Sequence, residues 1–176
     1  MADAISKNAA LLWDHAANKP WLLTQKPFRV APRVYYVGNT SVGAYLIDTG
    51  DGLVLIGTTV FETTYLVLEA VRDLGFDPHD IKNILLTHCH VDHSGGVNQI
   101  KTISGAAVWQ SREDTAFMTQ PANLGLGDKF KITEYPVDEY FDDDKTLQWG
   151  NVSIKTVLTP GHTPGTTSFF ITVPDV

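Results

Sequence analysis

The stretch over 81–96 constrains the fold more than any other part of the chain. It reads IKNILLTHCHVDHSGG, so a short, mostly apolar run leads into three of the chain's six histidines, one aspartate and its only cysteine. A short apolar run without alternation is typical of a strand that is buried on both faces of a sheet. Polar side chains at this density are costly to bury unless they are paired or bind a metal ion. The pattern therefore predicts a binding site where a buried strand ends.

The spacing within this stretch indicates a metal site. His88 and His90 are two residues apart and can converge on one ion, whereas the adjacent Asp92 and His93 would face a second ion. Imidazole and carboxylate together suit zinc, and also iron, manganese or cobalt. A catalytic zinc takes three protein ligands and keeps one position for water. The first ion therefore needs a third ligand from another part of the chain.

The remaining histidines, His15, His79 and His162, are the candidates for that ligand. His162 lies in TPGHTPG (159–165), where the prolines and glycines are expected to hold a tight loop with the imidazole at its tip. His79 lies in a turn before a strand, at the end opposite the expected crevice, and His15 lies in a polar lead-in. Both are interpreted as surface residues, so His162 is the predicted ligand.

Cys89 lies between predicted ligands, but its neighbours already fill the first site. We interpret it as a small residue that fills space without binding metal. The alternative is a reactive thiol that is oxidised or captures an ion, because a nearby metal favours the thiolate.

The rest of the chain alternates strand-like and helix-like segments. Strands are predicted over 34–38, 42–48, 52–57, 81–87, 106–110, 146–149, 152–159 and 166–173, and helices over 8–17, 60–74, 97–104 and 111–118. Ser111 is a predicted N-cap of the last helix. Residues 119–145 are polar and acidic, which predicts a long surface loop. Strand–helix–strand units at 52–87 and 81–110 favour an α/β (α+β) fold with a sheet packed on helices.

Length and charge limit the classes of partner. The chain has 176 residues, enough for one domain with a core, and a net charge of −7 without a cluster of Lys or Arg. No nucleic-acid partner is therefore expected. No stretch approaches the roughly 20 apolar residues that span a bilayer, so no membrane partner is expected either. The N-terminal residues lack a secretory signal, which predicts a cytoplasmic protein if Met1 is the native start, and a periplasmic or secreted one only if a signal was removed.

A family resemblance rests on these motifs. The motif HxHxDH at 88–93, followed by two glycines and later by GHTPG at 161–165, resembles the metallo-β-lactamase superfamily of binuclear metallohydrolases. The segments 27–38, 45–57, 68–88 and 142–165 are similar to the subclass B3 β-lactamases and their relatives. The resemblance implies an αββα sandwich. Residues 1–26 would be a lead-in, and 27–176 a metallo-β-lactamase-like domain of which the N-terminal half is present.

The resemblance also implies a site and a reaction. Carried over by position, His88, His90 and His162 match the ligands of a first zinc, and Asp92 and His93 match ligands of a second. A metal-bound hydroxide would attack a carbonyl of a small-molecule substrate, an amide or β-lactam in the B3-like case. Asp92 would act in catalysis by orienting that hydroxide or transferring a proton. The alternative is a cytoplasmic metallohydrolase of an ester, thioester or lactone.

Two features depart from the family pattern. Gly57 stands where the family usually has an aspartate that supports the metal loop, and the similar segment LIDTG at 46–50 lies one strand earlier. Loss of such support typically weakens metal affinity or activity by about 10–100-fold. The late histidine of the second zinc site is expected beyond residue 176. A further alternative is therefore an inactive half-domain that binds one metal and self-associates or pairs with a missing C-terminal half.

Overall fold

Two β-sheets form the frame of the protein. The computed structural model describes residues 10–11, 13–120 and 134–174. The first sheet has the spatial order β1 (Phe28–Ala31), β2 (Val34–Tyr36), β3 (Tyr45–Asp48), β4 (Leu53–Ile56), β5 (Ile81–Leu85), β6 (Ala107–Gln110) and β7 (Glu139–Tyr140). The second sheet contains β8 (Thr146–Trp149), β9 (Val152–Leu158) and β10 (Thr167–Thr172), with β9 in the middle. The helices are α1 (13–18), α2 (Thr64–Asp73), α3 (Val91–Ser94), α4 (Val97–Ser104) and α5 (Arg112–Met118).

Strand direction changes at β4. The pairs from β1 to β4 are antiparallel, whereas β4, β5, β6 and β7 pair in parallel. The carboxyl ends of β4, β5 and β6 therefore meet at one edge of the sheet. Loops that follow such strands form the usual crevice for ligands in α/β folds. The histidine stretch follows β5 and lies at this edge.

β4 is buried on both faces, and its alternate side chains belong to two different cores. Leu53 and Leu55 pack in a cluster with Val67 of α2 and Ile100 of α4. Val54 and Ile56, which point to the opposite face of the strand, pack in a second cluster that includes Val152 and Ile154 of β9. The first sheet therefore has helices on one face and the second sheet on the other.

Most of the predicted elements are confirmed. The helix predicted over 97–104 coincides with α4, and the strand predicted over 146–149 coincides with β8. Ser111 caps α5, because its side chain accepts a hydrogen bond from the backbone N–H of Asp114. The mixed α/β class is confirmed. Within the part of the chain that the structure describes, no helix is long and apolar enough to cross a membrane.

Three elements differ from the prediction. β1 lies where no strand was predicted, and α3 forms within the histidine stretch itself. The predicted surface loop 119–145 is wrong at 139–140, where β7 pairs with β6. Its residues 121–133 lie outside the described residues. Short elements such as these depend on pairing and packing partners that a local pattern does not contain.

The burial of β4 on both faces predicts that truncating a leucine on this strand destabilises the protein far more than truncating an exposed leucine elsewhere. Leu55→Ala should lower the free energy of unfolding by about 2–5 kcal/mol, because it removes a side chain that is fully buried between α2, α4 and the sheet. Leu22→Ala should change it by less than about 0.5 kcal/mol, because Leu22 is 53% exposed. Urea unfolding of both variants measures this difference, and equal effects would contradict the described packing.

Candidate metal centre

The chain leaves β5 and enters α3 through a tightly bonded loop. His90 is the N-cap of α3, and Ser94 at the end of α3 donates its hydroxyl to the carbonyl oxygens of Cys89 and His90 at 2.9 and 3.0 Å. The backbone N–H of Thr58, just after β4, donates to the carbonyl of His93 at 2.8 Å. The backbone that carries the predicted ligands is thus fixed by the strand before it and the loop beside it.

Five predicted ligands come together at this edge of the sheet. The ligand atoms of His88, His90 and His162 all lie within 4.8 Å of one another, and so do those of His88, Asp92 and His93. His90 Nδ1 lies 2.9 Å from His162 Nε2, although the two residues are 72 positions apart. His93 Nε2 lies 3.6 Å from Asp92 Oδ2. The structure therefore shows two adjoining groups that share His88.

The chemistry of His88 fits a metal ligand. Nδ1 lies 3.1 Å from the hydroxyl of Thr87, whereas Nε2 is buried and has no hydrogen-bond partner among the described residues. A buried polar atom without a partner is costly unless something binds to it. Burial, with the neighbouring His93, His90 and His162, lowers the pKa of His88 from 6.5 to about 3. Its imidazole is therefore neutral at neutral pH, which is the form that binds a metal ion.

Burial also lowers the pKa of two histidines that neighbour His88. Burial lowers the pKa of His90 and of His93 from the ordinary value, and other imidazoles of the group contribute. The charge of Asp92 acts in the opposite direction on both. Neutral imidazoles next to a carboxylate form a donor set that suits a divalent transition metal.

Gly95 and Gly96 allow close packing beside the site. Gly95 and Gly96 both have negative φ angles, −59° and −89°, so no left-handed turn occurs there. A Cβ on Gly95 would lie 2.7 Å from the backbone nitrogen of Phe61, and one on Gly96 would lie 2.7 Å from the carbonyl oxygen of Thr58. The glycines are needed because the segment after α3 packs directly against the loop after β4.

Gly57 lies beside the site. Its φ angle is +74°, and its backbone N–H donates to the carbonyl of Leu85 at 3.0 Å. A Cβ at this position would lie 4.0 Å from His93 Nδ1. Asp48, in the similar segment one strand earlier, instead pairs with Arg33 at 3.0 Å. The structure thus places position 57, and not position 48, next to a predicted ligand.

Cys89 is part of the core. Its side chain is fully buried in the cluster between the first sheet and the helices. Burial, and next the charge of Asp114, raise the pKa of the thiol to about 12. A neutral buried thiol is a poor ligand and a poor nucleophile, which supports the interpretation of Cys89 as a space-filling residue.

The two other histidines lie elsewhere. His79 is exposed, and its Nδ1 lies 2.7 Å from Asp77 Oδ1 in the turn before β5. His15 is half-buried in α1. Neither belongs to the two groups of possible ligands found within the described residues.

A cavity next to the site was not foreseen from the sequence. Its volume is about 160 Å³, and its walls combine α1, the loop after β2, the loop after β4 and Asp92. The lining residues are Trp13, Ala16, Leu23, Asn39, Ser41, Val42, Val60 and Asp92. These segments are far apart in the chain, so no local pattern could have indicated that they enclose a cavity. Asp92 belongs both to a ligand group and to the cavity wall.

Comparison with known proteins identifies the family. Residues 37–176 match the profile of the metallo-beta-lactamase superfamily. The chain belongs to this superfamily. The solved structures that resemble it include the subclass B3 metallo-beta-lactamase BJP-1 of Bradyrhizobium japonicum, with a TM-score of 0.82 and 32% identity over 91% of this chain and 61% of that chain. They also include GOB-18 of Elizabethkingia meningoseptica, with a TM-score of 0.81 and 31% identity over 89% and 59%.

The proteins that are similar in sequence are named as hydrolases of different kinds. The N-acyl homoserine lactonase AttM of Agrobacterium fabrum is 28% identical over 117 residues, which are 61% of this chain and 42% of that protein. The probable metallo-hydrolase YqgX of Bacillus subtilis is 28% identical over 137 residues, which are 77% of this chain and 63% of that protein. The predicted superfamily, its B3-like branch and its sandwich fold are confirmed. The chain spans about 60% of the length of the solved relatives.

The position of Gly57 gives a prediction about metal affinity. In Gly57→Asp, a carboxylate oxygen would come within hydrogen-bond distance of His93 Nδ1, because the Cβ lies 4.0 Å away. Zinc affinity of the group containing His93 should rise about 10-fold or more relative to Gly57→Ala, because such a bond orients the imidazole and increases its basicity. Zinc titration against a chromophoric chelator measures it.

Gly57→Ala is the matched control for backbone strain. Both variants place a Cβ at a positive φ angle, which costs about 1–2 kcal/mol in either case. Equal zinc affinities in the two variants would show that the added carboxylate does not reach His93.

Proposed function

We propose that this chain carries the zinc-binding and catalytic part of a hydrolase that cleaves a carbonyl compound, an amide or β-lactam. The observation that carries the proposal is the convergence of His88, His90 and His162 on one point, with Asp92 and His93 beside them. The subclass B3 identity of the similar structures supports a β-lactam substrate. The relatives' names support hydrolysis in general.

In this proposal the two groups hold divalent zinc. His88, His90 and His162 are the ligands of the first ion, and Asp92 and His93 contribute to a second. Zinc bound there would supply a Lewis acid for the carbonyl oxygen and a water whose pKa falls to near 7. The three imidazoles of the first site would bring no negative charge to the ion, which strengthens both effects there.

Asp92 is proposed as the catalytic residue. It lies between the ligand group and the cavity, so a substrate in the cavity would have its reacting carbonyl near this carboxylate. From this position Asp92 can orient an attacking water and hold a proton that the leaving group later receives.

The cavity favours a substrate with an apolar substituent. Leu23, Val42 and Val60 provide apolar wall, whereas Asn39 and Ser41 lie at its polar side. The loop after β2 is held in this shape, because Asn39 Oδ1 accepts the backbone N–H groups of Ser41 and Val42, each at 2.8 Å. An apolar lining with a few polar groups is typical of small-molecule sites.

A second candidate is the hydrolysis of a lactone or thioester. AttM of Agrobacterium fabrum is named as an N-acyl homoserine lactonase, and a 31% identical relative from Haemophilus influenzae is named as a hydroxyacylglutathione hydrolase. These substrates also present a carbonyl carbon to the metal. A third candidate is a non-catalytic protein that binds one metal ion at the group of His88, His90 and His162 and self-associates.

Turnover assays separate these candidates. With zinc present, the protein should hydrolyse the β-lactam nitrocefin faster than lactone and thioester substrates. Turnover of a lactone or thioester without nitrocefin hydrolysis would replace the β-lactamase proposal with the second candidate. A protein that binds one zinc per chain, forms dimers and turns over none of these substrates would support the third.

His162→Ala tests the metal site. It should weaken zinc binding at the first site by roughly 100-fold or more, since loss of supporting groups alone typically costs 10–100-fold. His79→Ala is the matched control, because His79 is an exposed histidine bonded to Asp77. Zinc titration of both variants measures the effect, and equal affinities would refute the assignment of His162.

Val42→Phe tests the cavity. The larger side chain should fill part of the roughly 160 Å³ and raise the KM for bulky substrates about 10-fold, with a smaller change in kcat. Val30→Phe is the control, because Val30 is 52% exposed on β1 and outside the cavity. Unchanged KM in Val42→Phe would show that the substrate does not occupy this cavity.

A further inference from the structure

A buried carboxylate connects the two loops that carry the first group of ligands. Asp114 in α5 is fully buried, and both of its oxygens accept hydrogen bonds. The backbone N–H of Cys89 donates to Oδ2 at 2.8 Å, and the hydroxyl of Thr163 donates to the same oxygen at 3.0 Å. The backbone N–H of Gly165 donates to Oδ1 at 2.7 Å.

These three donors flank the predicted ligands. Cys89 lies between His88 and His90, and Thr163 directly follows His162. The hydrogen bonds of Asp114 are made to groups beside the imidazoles and not to the rings themselves. Its carboxylate therefore determines how far apart the two loops are held.

The contacts around Asp114 also bring the His162 loop close to the first turn of α5. Ser111 donates its hydroxyl to the carbonyl of Gly165 at 3.0 Å and accepts the N–H of Asp114 at 3.2 Å. A Cβ at position 165 would lie 2.6 Å from the Asp114 nitrogen and would overlap the Ser111 hydroxyl. Glycine at 165 therefore allows the His162 loop to reach the first turn of α5.

An ionised carboxylate in the interior is stable when charged hydrogen bonds replace its hydration. Here all three bonds come from the ligand loops, so the favourable energy of burying Asp114 depends on the loops being in place. A metal site needs its ligands within about 0.5 Å of the productive geometry. A fixed spacing between His90 and His162 meets that need before any ion binds.

We propose that Asp114 is a positioning residue, which sets the spacing between the His88–His90 loop and the His162 loop and thereby the zinc affinity of the first site. The proposal rests on the proposed zinc-binding function. Asp114→Asn replaces one acceptor oxygen with an NH₂ donor, so in either orientation of the amide at least one of the three loop donors loses its partner. Zinc affinity should fall about 10–100-fold.

Two further substitutions test the hydroxyl contact. Thr163→Val removes one of the three bonds and should lower zinc affinity by a smaller factor than Asp114→Asn. Thr163→Ser keeps the hydroxyl and should restore most of the wild-type affinity. This pair keeps the test decisive if Asp114→Asn does not fold.

Asp138→Asn is the matched control. Asp138 also accepts a backbone N–H, from Val108 at 2.8 Å, and pairs with Lys101 at 2.6 Å, but it does not contact either ligand loop. Its substitution should lower the melting temperature without changing the zinc affinity. A purely structural role of Asp114 would give the same result for Asp114→Asn.

The experiment measures zinc affinity by competition with a chromophoric chelator, the visible spectrum of bound Co²⁺, and amide hydrogen exchange of the metal-free protein. Asp114→Asn should weaken zinc binding, alter the Co²⁺ spectrum and speed exchange at Cys89 and Gly165, whereas Asp138→Asn should do none of these. Wild-type zinc affinity in a folded Asp114→Asn or Thr163→Val would overturn the proposal alone. A wild-type protein that binds no zinc would overturn the proposed function as well, which distinguishes the two failures.

Discussion

Burial of β4 and β5 on both faces is the constraint on which the rest of the structure depends. Helices cover one face of these strands and the second sheet covers the other, so neither strand can shift without opening a core. Both strands end at the same edge because they pair in parallel. The polar side chains that follow β5 therefore lie beyond that edge and not between the sheets. The position of His88 and the segment that follows it is a consequence of this burial.

At that edge the protein places polar groups next to its core at low cost. His88 is nearly buried, yet its lowered pKa keeps it neutral, so no charge is buried with it. The glycines at 95 and 96 let the ligand segment pack against the loop after β4. Asp114 is buried as a hydrogen-bonded bridge between two loops. Each of these features fixes the positions of predicted ligands, which is what the proposed metal site requires.

The sequence predicted much of this arrangement, and its omissions have physical causes. β5 was predictable because its segment is a short apolar run, and α4 was predictable because its apolar residues recur at helical spacing. The short β7 was missed because a two-residue strand exists only through its pairing with β6. α3 was missed because a helix of four residues is too short to show an apolar period. The bridging role of Asp114 was not predicted, since nothing local indicates that its carboxylate faces Cys89 and Gly165.

The sequence by itself determined the superfamily and predicted the kind of chemistry, because the spacing of HxHxDH and the later GHTPG is compact and specific. It also predicted a departure from the family pattern at position 57, which the structure places beside His93. Only the tertiary structure decided that His162 meets His90 across 72 residues, that a cavity joins α1 to Asp92, and that one carboxylate spans both ligand loops. The reason is that a motif contains residues that are close along the chain. A site also depends on the distances between segments that are far apart in the chain, and only packing sets these distances.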